Sequence, residues 1–207
     1  MRKLTSSIYT FEKLIENNFL YVDKTEYIWR LIDSAPAMYF MSRPRRFGKS
    51  LTVSTLEAIF SGRKELFKGL AIYDKPYDWK KYPVIHLDMG DRKCDTAQAL
   101  ENSLQDAVRK CAEEHQVPVV GCDAQTQFGN LIYAVSRNAP AVILVDEYDK
   151  PILNNISNPE IETILSVLKG FYSTIKTAES LEHFVFVTGV SKFCHVSLFS
   201  DLNNLTD

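Results

Sequence analysis

No apolar run in this chain approaches the roughly 20 residues a membrane-spanning helix needs. The start, Met1-Arg2-Lys3-Leu4-Thr5-Ser6-Ser7, lacks the apolar core of a secretory signal. A cytoplasmic protein with no membrane partner is the expectation. Four cysteines, Cys94, Cys111, Cys122 and Cys194, fall at no paired metal-ligand spacing and form no dense disulfide framework, so they read as reduced thiols. Neither sign of charge dominates: 24 Lys and Arg stand against 26 Asp and Glu, a formal net charge of −2. That balance gives no whole-domain electrostatic signature of nucleic-acid binding. The remaining composition, 45% hydrophobic and 24% charged over 207 residues, is that of one globular domain able to bury a sizeable core.

What is present is concentrated in two places. The first is Arg43-Pro44-Arg45-Arg46-Phe47-Gly48-Lys49-Ser50, between the apolar run Ala37-Met38-Tyr39-Phe40-Met41 and a helical pattern over 51–60. A strand, a turn ending in Gly-Lys-Ser and a helix form the phosphate-binding loop of nucleoside triphosphatases. Backbone N–H groups and a helix N-terminus favour an anion there. Gly48 lets the backbone approach phosphate, Lys49 reaches the β and γ phosphates, and the Ser50 hydroxyl holds Mg²⁺. Arg45, Arg46, Phe47 and Leu51 complete the candidate nucleotide-binding set. The first glycine of the usual pattern is missing, since Arg43 occupies it. A bare Gly-Lys-Ser/Thr arises by chance in about one chain of this size in ten, so the loop needs a second half.

Ala141-Val142-Ile143-Leu144-Val145-Asp146-Glu147 supplies it. Five apolar residues, three of them β-branched, read as a buried parallel strand, with two carboxylates at the end where open α/β sheets bind ligands. In such a site the first carboxylate, Asp146, supports the metal and its waters. The second, Glu147, is placed to orient or deprotonate an attacking water.

Four segments together resemble the bacterial and archaeal AAA-ATPase-like family: Tyr21-Val22-Asp23-Lys24-Thr25, the Arg-Pro-Arg-Arg-Phe-Gly-Lys-Ser loop, Asp146-Glu147-Tyr148-Asp149-Lys150-Pro151, and Thr188-Gly189-Val190-Ser191-Lys192-Phe193. The resemblance implies that Arg43 is the family's own variant of the loop. It also implies ATP with Mg²⁺ as ligands and a restriction-endonuclease-like domain that often follows the ATPase domain. A polar sensor near the γ-phosphate is implied at the end of the strand His183-Phe184-Val185-Phe186-Val187, with Thr188 first and Ser191 second. Self-association or a nuclease domain of a longer protein are the further partners considered.

Between these landmarks, helices are expected over 11–16, from the Asp23-x-x-Glu26 start to Pro36, and over 96–115, 127–136 and 160–175. Asp23 reads first as a helix-start residue and second as part of the nucleotide site. Gly62 and Gly69 mark a polar turn region, and Tyr77-Asp78-Trp79-Lys80-Lys81-Tyr82-Pro83 a packing loop. Pro83 to Asp88 is a further strand in which His86 reads as a packed residue. Arg43, Arg45 and Arg46 could serve as an arginine finger or pair with carboxylates such as Asp88 and Asp91.

The alternation predicts an α/β fold, P-loop NTPase-like, with a mostly parallel doubly wound sheet and helices on both faces. The loop strand should lie beside the sensor strand, and that beside the acidic strand. Residues 1–35 are expected as a helical segment packing on a domain spanning 36–207, with a further edge strand, a lid and any nuclease domain beyond residue 207. Three functions remain open at this stage: ATP hydrolysis with Lys49, Glu147 and Thr188 as catalytic groups, a low-turnover ATP-binding switch, and nucleic-acid processing through an attached nuclease.

Overall fold

The computed structural model describes residues 3–5, 7–90, 92 and 94–191. Asp91, Cys194 and residues 192–193 and 200–207, each with a sequence expectation, lie outside the described residues. The elements are α1 (Phe11–Glu16), α2 (Thr25–Ile32), β1 (Ala37–Ser42), α3 (Lys49–Phe60), β2 (Val84–Asp88), α4 (Ala97–Glu114), α5 (Ala124–Val135), β3 (Ala141–Asp146), α6 (Lys150–Leu153), α7 (Ile161–Thr177) and β4 (Glu182–Gly189). Short 3₁₀ turns cover Lys64–Phe67, Ala71–Asp74 and Glu179–Leu181.

The four strands form one parallel sheet in the order β1-β4-β3-β2. The loop strand therefore neighbours the sensor strand and the sensor strand neighbours the acidic one, as the sequence predicts. Strand alternation sends side chains to opposite faces. Val142, Leu144, Phe184 and Phe186 pack with α1, α2 and α3, while Ile143, Val145, Val185 and Val187 pack with α4, α5 and α7. The layering follows from handedness. The β1-α3-β2 connection crosses the sheet in one direction, and β2 to β3 to β4 returns in the other. Right-handed crossovers then put α3 on one face and the later helices on the opposite face.

Register aligns the carboxyl ends. Ser42 pairs with Gly189, Val145 with Val187, and Asp88 with Asp146. The residues that follow these strands therefore come together along one end of the sheet. The outer side of β2 is closed by side chains: His115 Nε2 contacts the Val84 carbonyl at 2.8 Å, Cys111 Sγ donates to His86 O at 3.5 Å, and Arg92 Nε donates to Asp88 O at 2.8 Å. Covering an outer strand in this way blunts its capacity to pair with another chain. Cys94 and Cys111 are buried free thiols and Cys122 an exposed one; burial pushes the Cys111 thiol up to about 11.

The N-terminal segment is tied to α3. Phe11 is fully buried, stacks on Phe67 with centroids 4.6 Å apart, and meets the Tyr21 ring edge-on at 5.1 Å. Its backbone N–H donates to Ser54 Oγ on α3 at 2.8 Å. Asp23 works as a tether. Its Oδ1 accepts from the Thr25 backbone at 2.8 Å and hydroxyl at 2.7 Å, and its Oδ2 accepts from Ala71 N at 2.8 Å. Thr25 Oγ1 in turn accepts from Ile72 N at 3.1 Å. Burial opposes ionisation of Asp23, but these hydrogen bonds outweigh it and hold the carboxyl below its ordinary value. The region read as polar turn is in fact two 3₁₀ turns that bury Leu66, Phe67, Leu70 and Ile72 against α1, α2 and α3. Their apolar spacing is too short for a helical pattern, and tertiary packing decides them. The 77–83 loop packs as expected, with Trp79 against Phe67 at 5.1 Å and Tyr77 at 5.4 Å.

At the opposite end of the sheet from the acidic pair, Glu182 opens β4 half-buried, and its Oε1 has no hydrogen-bond partner among the described residues. Burial, helped by the charge of Glu179, pushes its carboxyl from an ordinary 4.5 up to about 8. The folded chain thus keeps a proton that the unfolded chain releases at lower pH. The stability from this group is complete below the unfolded value and is lost as pH rises through about 8. Glu182→Gln should flatten that decline in urea-denaturation midpoints taken across this range. Parallel declines in both proteins would reject the assignment.

Candidate functional site at the carboxyl end of the sheet

The loop after β1 takes its shape from two left-handed residues. Gly48, which precedes the first residue of α3, has φ 78°, and Arg46 has φ 66°. Glycine adopts this conformation without the Cβ penalty, while an arginine there costs about 1–2 kcal/mol. Arg43 is not left-handed. The position that usually carries the first glycine therefore asks for no special backbone freedom here. Instead Arg43 N donates to Gly189 O at 3.2 Å, which carries the β1–β4 pairing one residue further, and its Nη1 donates to Ser42 O at 2.7 Å.

Lys49 begins α3 and is only 5% exposed. Its ammonium donates to Arg43 O at 3.1 Å and Pro44 O at 3.2 Å, so the cation lies within the loop and is held by the loop's own carbonyls. Ser50 and Leu51 follow in the first turn, half-buried. Arg45, Arg46 and Phe47 are exposed, Phe47 at 63%. Among the described residues neither Arg45 nor Arg46 ion-pairs with a carboxylate.

Across β4 lies the acidic pair. Asp146 is 4% exposed. Its Oδ1 accepts the Thr188 hydroxyl in a short hydrogen bond and the Glu147 backbone N–H at 3.0 Å. Thr188 Oγ1 also accepts from Glu147 N at 3.3 Å. Thr188 is fully buried and bound to the acidic pair, so the sensor candidate meets Asp146 directly. Glu147 is left-handed at φ 51°. Its carboxylate packs against Gly90 of the β2–α4 loop, and Oε2 receives Lys150 Nζ at 3.4 Å.

Ser50, Asp146 and Glu147 line one cleft of about 310 Å³ together with Tyr9, Thr10, Ser54, Glu57, His86, Asp88 and Gly90. His86 is half-buried as the strand reading predicts, but its ring faces this cleft and its Nδ1 lies 3.0 Å from Glu57 Oε2. Burial works against protonation of His86. The hydrogen bond and charge of Glu57, with Asp146 and Asp88 behind them, outweigh it and raise the imidazole above its ordinary value. Asp23, Lys24 and Thr25 do not line the cleft; Asp23 and Thr25 serve the tether described above.

The second half of the acidic motif holds the chain leaving β4. Asp149, 1% exposed, accepts from Val190 N at 2.8 Å and Ser191 N at 2.7 Å through Oδ2. Tyr148 OH donates to Ser191 O at 2.6 Å, and Ser42 Oγ donates to Val190 O at 3.0 Å. The backbone of Ser191, the second sensor choice, is thereby held by Tyr148 and Asp149. The sequence reading assigned no role to Tyr148, Asp149 or Glu57. Tyr148 and Asp149 were signalled only by a motif longer than its chemistry required, and Glu57 by nothing local in the sequence.

Gly189 ends β4 under the Tyr148 ring, where a Cβ would come within 2.2 Å of Tyr148 Cε1 and 2.9 Å of Asp149 Oδ1. Both neighbours are buried and cannot retreat. Gly189→Ala should therefore destabilise the fold by about 1–3 kcal/mol through overpacking, read from urea denaturation. An unchanged midpoint would contradict the packing described.

The profile of the Predicted AAA-ATPase family matches residues 6–199. An uncharacterized protein in the vnfD 5′ region of Azotobacter chroococcum mcd 1 is 40% identical over 211 residues, an alignment that covers 100% of this chain. The chain spans 40% of that relative's length. No solved structure matches. Among the described residues no helix is long and apolar enough to cross a membrane, and no cluster of His, Cys, Asp and Glu forms a metal site by itself. With a parallel α/β sheet, a Gly-Lys-Ser loop after β1 and a family match over nearly its whole length, the chain belongs to the predicted AAA-ATPase family.

Proposed function

We propose that this chain binds ATP with Mg²⁺ and hydrolyses it by attack of water on the γ-phosphate. Family membership supports nucleotide binding. The observation that carries the finer reading is the convergence of the loop lysine and the acidic pair at one end of the sheet. Lys49 holds a cation inside the loop on weak carbonyl contacts, and β- and γ-phosphate oxygens would replace those carbonyls with stronger, charge-assisted bonds. Phe47 to Leu51 supply the backbone cradle at the start of α3, and the exposed Arg45 and Arg46 flank it.

Ser50 and Asp146 fit a Mg²⁺ ion. A hydroxyl and a carboxylate line the same cleft, and hard oxygen donors with room for waters suit that ion. The metal would neutralise developing charge on the phosphates. Thr188 and the Glu147 amide fix the Asp146 carboxylate. Glu147, next along the chain and in the same cleft, orients and deprotonates the attacking water. Residues 1–35 act as part of this one domain, with Tyr9 and Thr10 in the cleft wall.

A second reading, a low-turnover ATP-binding switch controlling an attached or partner nuclease domain, draws support from the 3.4 Å pairing of Glu147 with Lys150, which restrains the base. Both readings require Mg-ATP to raise the melting temperature. At about a hundred times the dissociation constant, ligand should add roughly 2.7 kcal/mol of stability, and Lys49→Ala should lose that shift. Absence of a shift in folded wild type would defeat both readings, and parallel titration with Mg-GTP tests base preference. Glu147→Gln separates the two. Hydrolysis predicts a retained shift with turnover reduced about a hundredfold or more, while the switch predicts slow turnover in wild type that the substitution leaves unchanged.

A further inference from the structure

The proposed chemistry uses Asp146 and Glu147 but leaves Tyr148 and Asp149 of the same motif without a task. Asp149 is an unusual residue to bury. A carboxylate taken out of water is costly unless its oxygens are bonded, and an apolar side chain of similar size would fill the space at lower cost. Its bonds run to the Val190 and Ser191 amides, two successive N–H groups converging on one oxygen, Oδ2. Successive amides of this kind form a small anion-binding nest. The carboxylate therefore fixes the backbone just beyond β4.

That stretch of backbone determines the placement of Thr188. Asp149 holds Val190 and Ser191, and Tyr148 N donates to Thr188 O at 3.0 Å. The Tyr148 hydroxyl takes Ser191 O and the Ser42 hydroxyl takes Val190 O. Gly189 lies beneath the Tyr148 ring with no space to shift. Between these anchors the Thr188 side chain reaches Asp146 Oδ1 and receives the Glu147 amide. Asp149 has no place in the cleft lining and touches neither loop residue Lys49 nor Ser50 among the described contacts.

We infer that Asp149 is a positioning residue for phosphoryl transfer: through the Val190 and Ser191 amides it sets the Thr188 hydroxyl, and through that hydroxyl the acidic pair. The inference rests on the hydrolysis proposed above and assigns a further residue to it. A displacement of about 1 Å in a catalytic group can cost about a hundredfold in rate. The lysine of the loop after β1 is held by the Arg43 and Pro44 carbonyls and meets Asp149 only at second hand, through Gly189 and Val190. Turnover and affinity should therefore separate.

The test compares wild type, Asp149→Ala, Asp149→Asn and Tyr148→Phe for kcat and for the Mg-ATP dissociation constant measured with a fluorescent analogue. Asp149→Ala should lower kcat by about ten- to a hundredfold, with affinity within about twofold. Asp149→Asn, whose carbonyl oxygen can still accept both amides, should recover most of the loss. Tyr148→Phe keeps the buried ring, removes the bond to Ser191 O, and should give a smaller fall in kcat; it decides the matter should Asp149→Ala not fold. Wild-type turnover in the variants, affinity falling in step with kcat, or no recovery by asparagine would each overturn the positioning role while leaving ATP hydrolysis standing. A wild type that binds Mg-ATP without turning it over overturns the hydrolysis reading and this inference with it, and leaves ATP binding standing. A wild type that neither binds nor hydrolyses overturns the proposed function and this inference together.

Discussion

The Thr188 hydroxyl, donated to Asp146 and accepting the Glu147 amide, joins the ends of the two central strands. These strands have no solvent to satisfy their terminal polar groups, since β3 is buried along its whole length and β4 along most of it. A carboxylate at the end of such a strand is costly to bury unless donors reach it. Thr188 and the Glu147 amide are those donors, and both come from the backbone geometry of β3 and β4. Glu147 is left-handed, so the chain turns there while its amide stays on Asp146 and its side chain lines the cleft. Removing the hydroxyl would leave a buried acid short of a partner and an amide with one acceptor fewer.

The layering supports this junction from both sides. One face carries α3 and the N-terminal helices, the other α4, α5 and α7, and the inner strands divide their side chains between them. Helix α3 is consequently isolated from the helices that move the chain between β2, β3 and β4. It packs on the sheet, on α1 and on the 3₁₀ turn over Lys64–Phe67, which gives the amino-terminal residues a larger role at the cleft than their distance along the chain suggests.

Much of this was legible from residue patterns, and the reasons differ by element. β3 announced itself through an unbroken apolar run, because a strand buried on both faces needs no alternation. The parallel order followed from strands alternating with long amphipathic helices. Lys49, Ser50, Asp146 and Glu147 stood out as candidates because phosphate and metal chemistry restrict residue type at fixed positions, and the fold brings Ser50, Asp146 and Glu147 to one cleft. Other features were not readable. The 3₁₀ turns over Lys64–Phe67 and Ala71–Asp74 are determined by partners far away in sequence. Asp23 resembled a helix start but binds Ala71 as well, a contact that no local pattern encodes. His86 and Glu57 belong to different elements, so their pairing becomes visible only when β2 and α3 are brought together. The missing first glycine looked like a departure from the loop's requirements, yet the left-handed positions fall on Arg46 and Gly48 and the departure has little backbone consequence.

The bond from Phe11 N to Ser54 Oγ, with Tyr9 and Thr10 in the cleft wall, has a practical side for anyone preparing this protein. Residues before the first helix have few apolar anchors of their own and invite removal as a leader. A shortened version beginning at Phe11 would have a charged amino group where an amide now meets α3, and one side of the cleft would be open. Such a trimmed protein would differ from the full chain at the wall of the cleft, and a purification tag fused close to this segment would crowd the same opening.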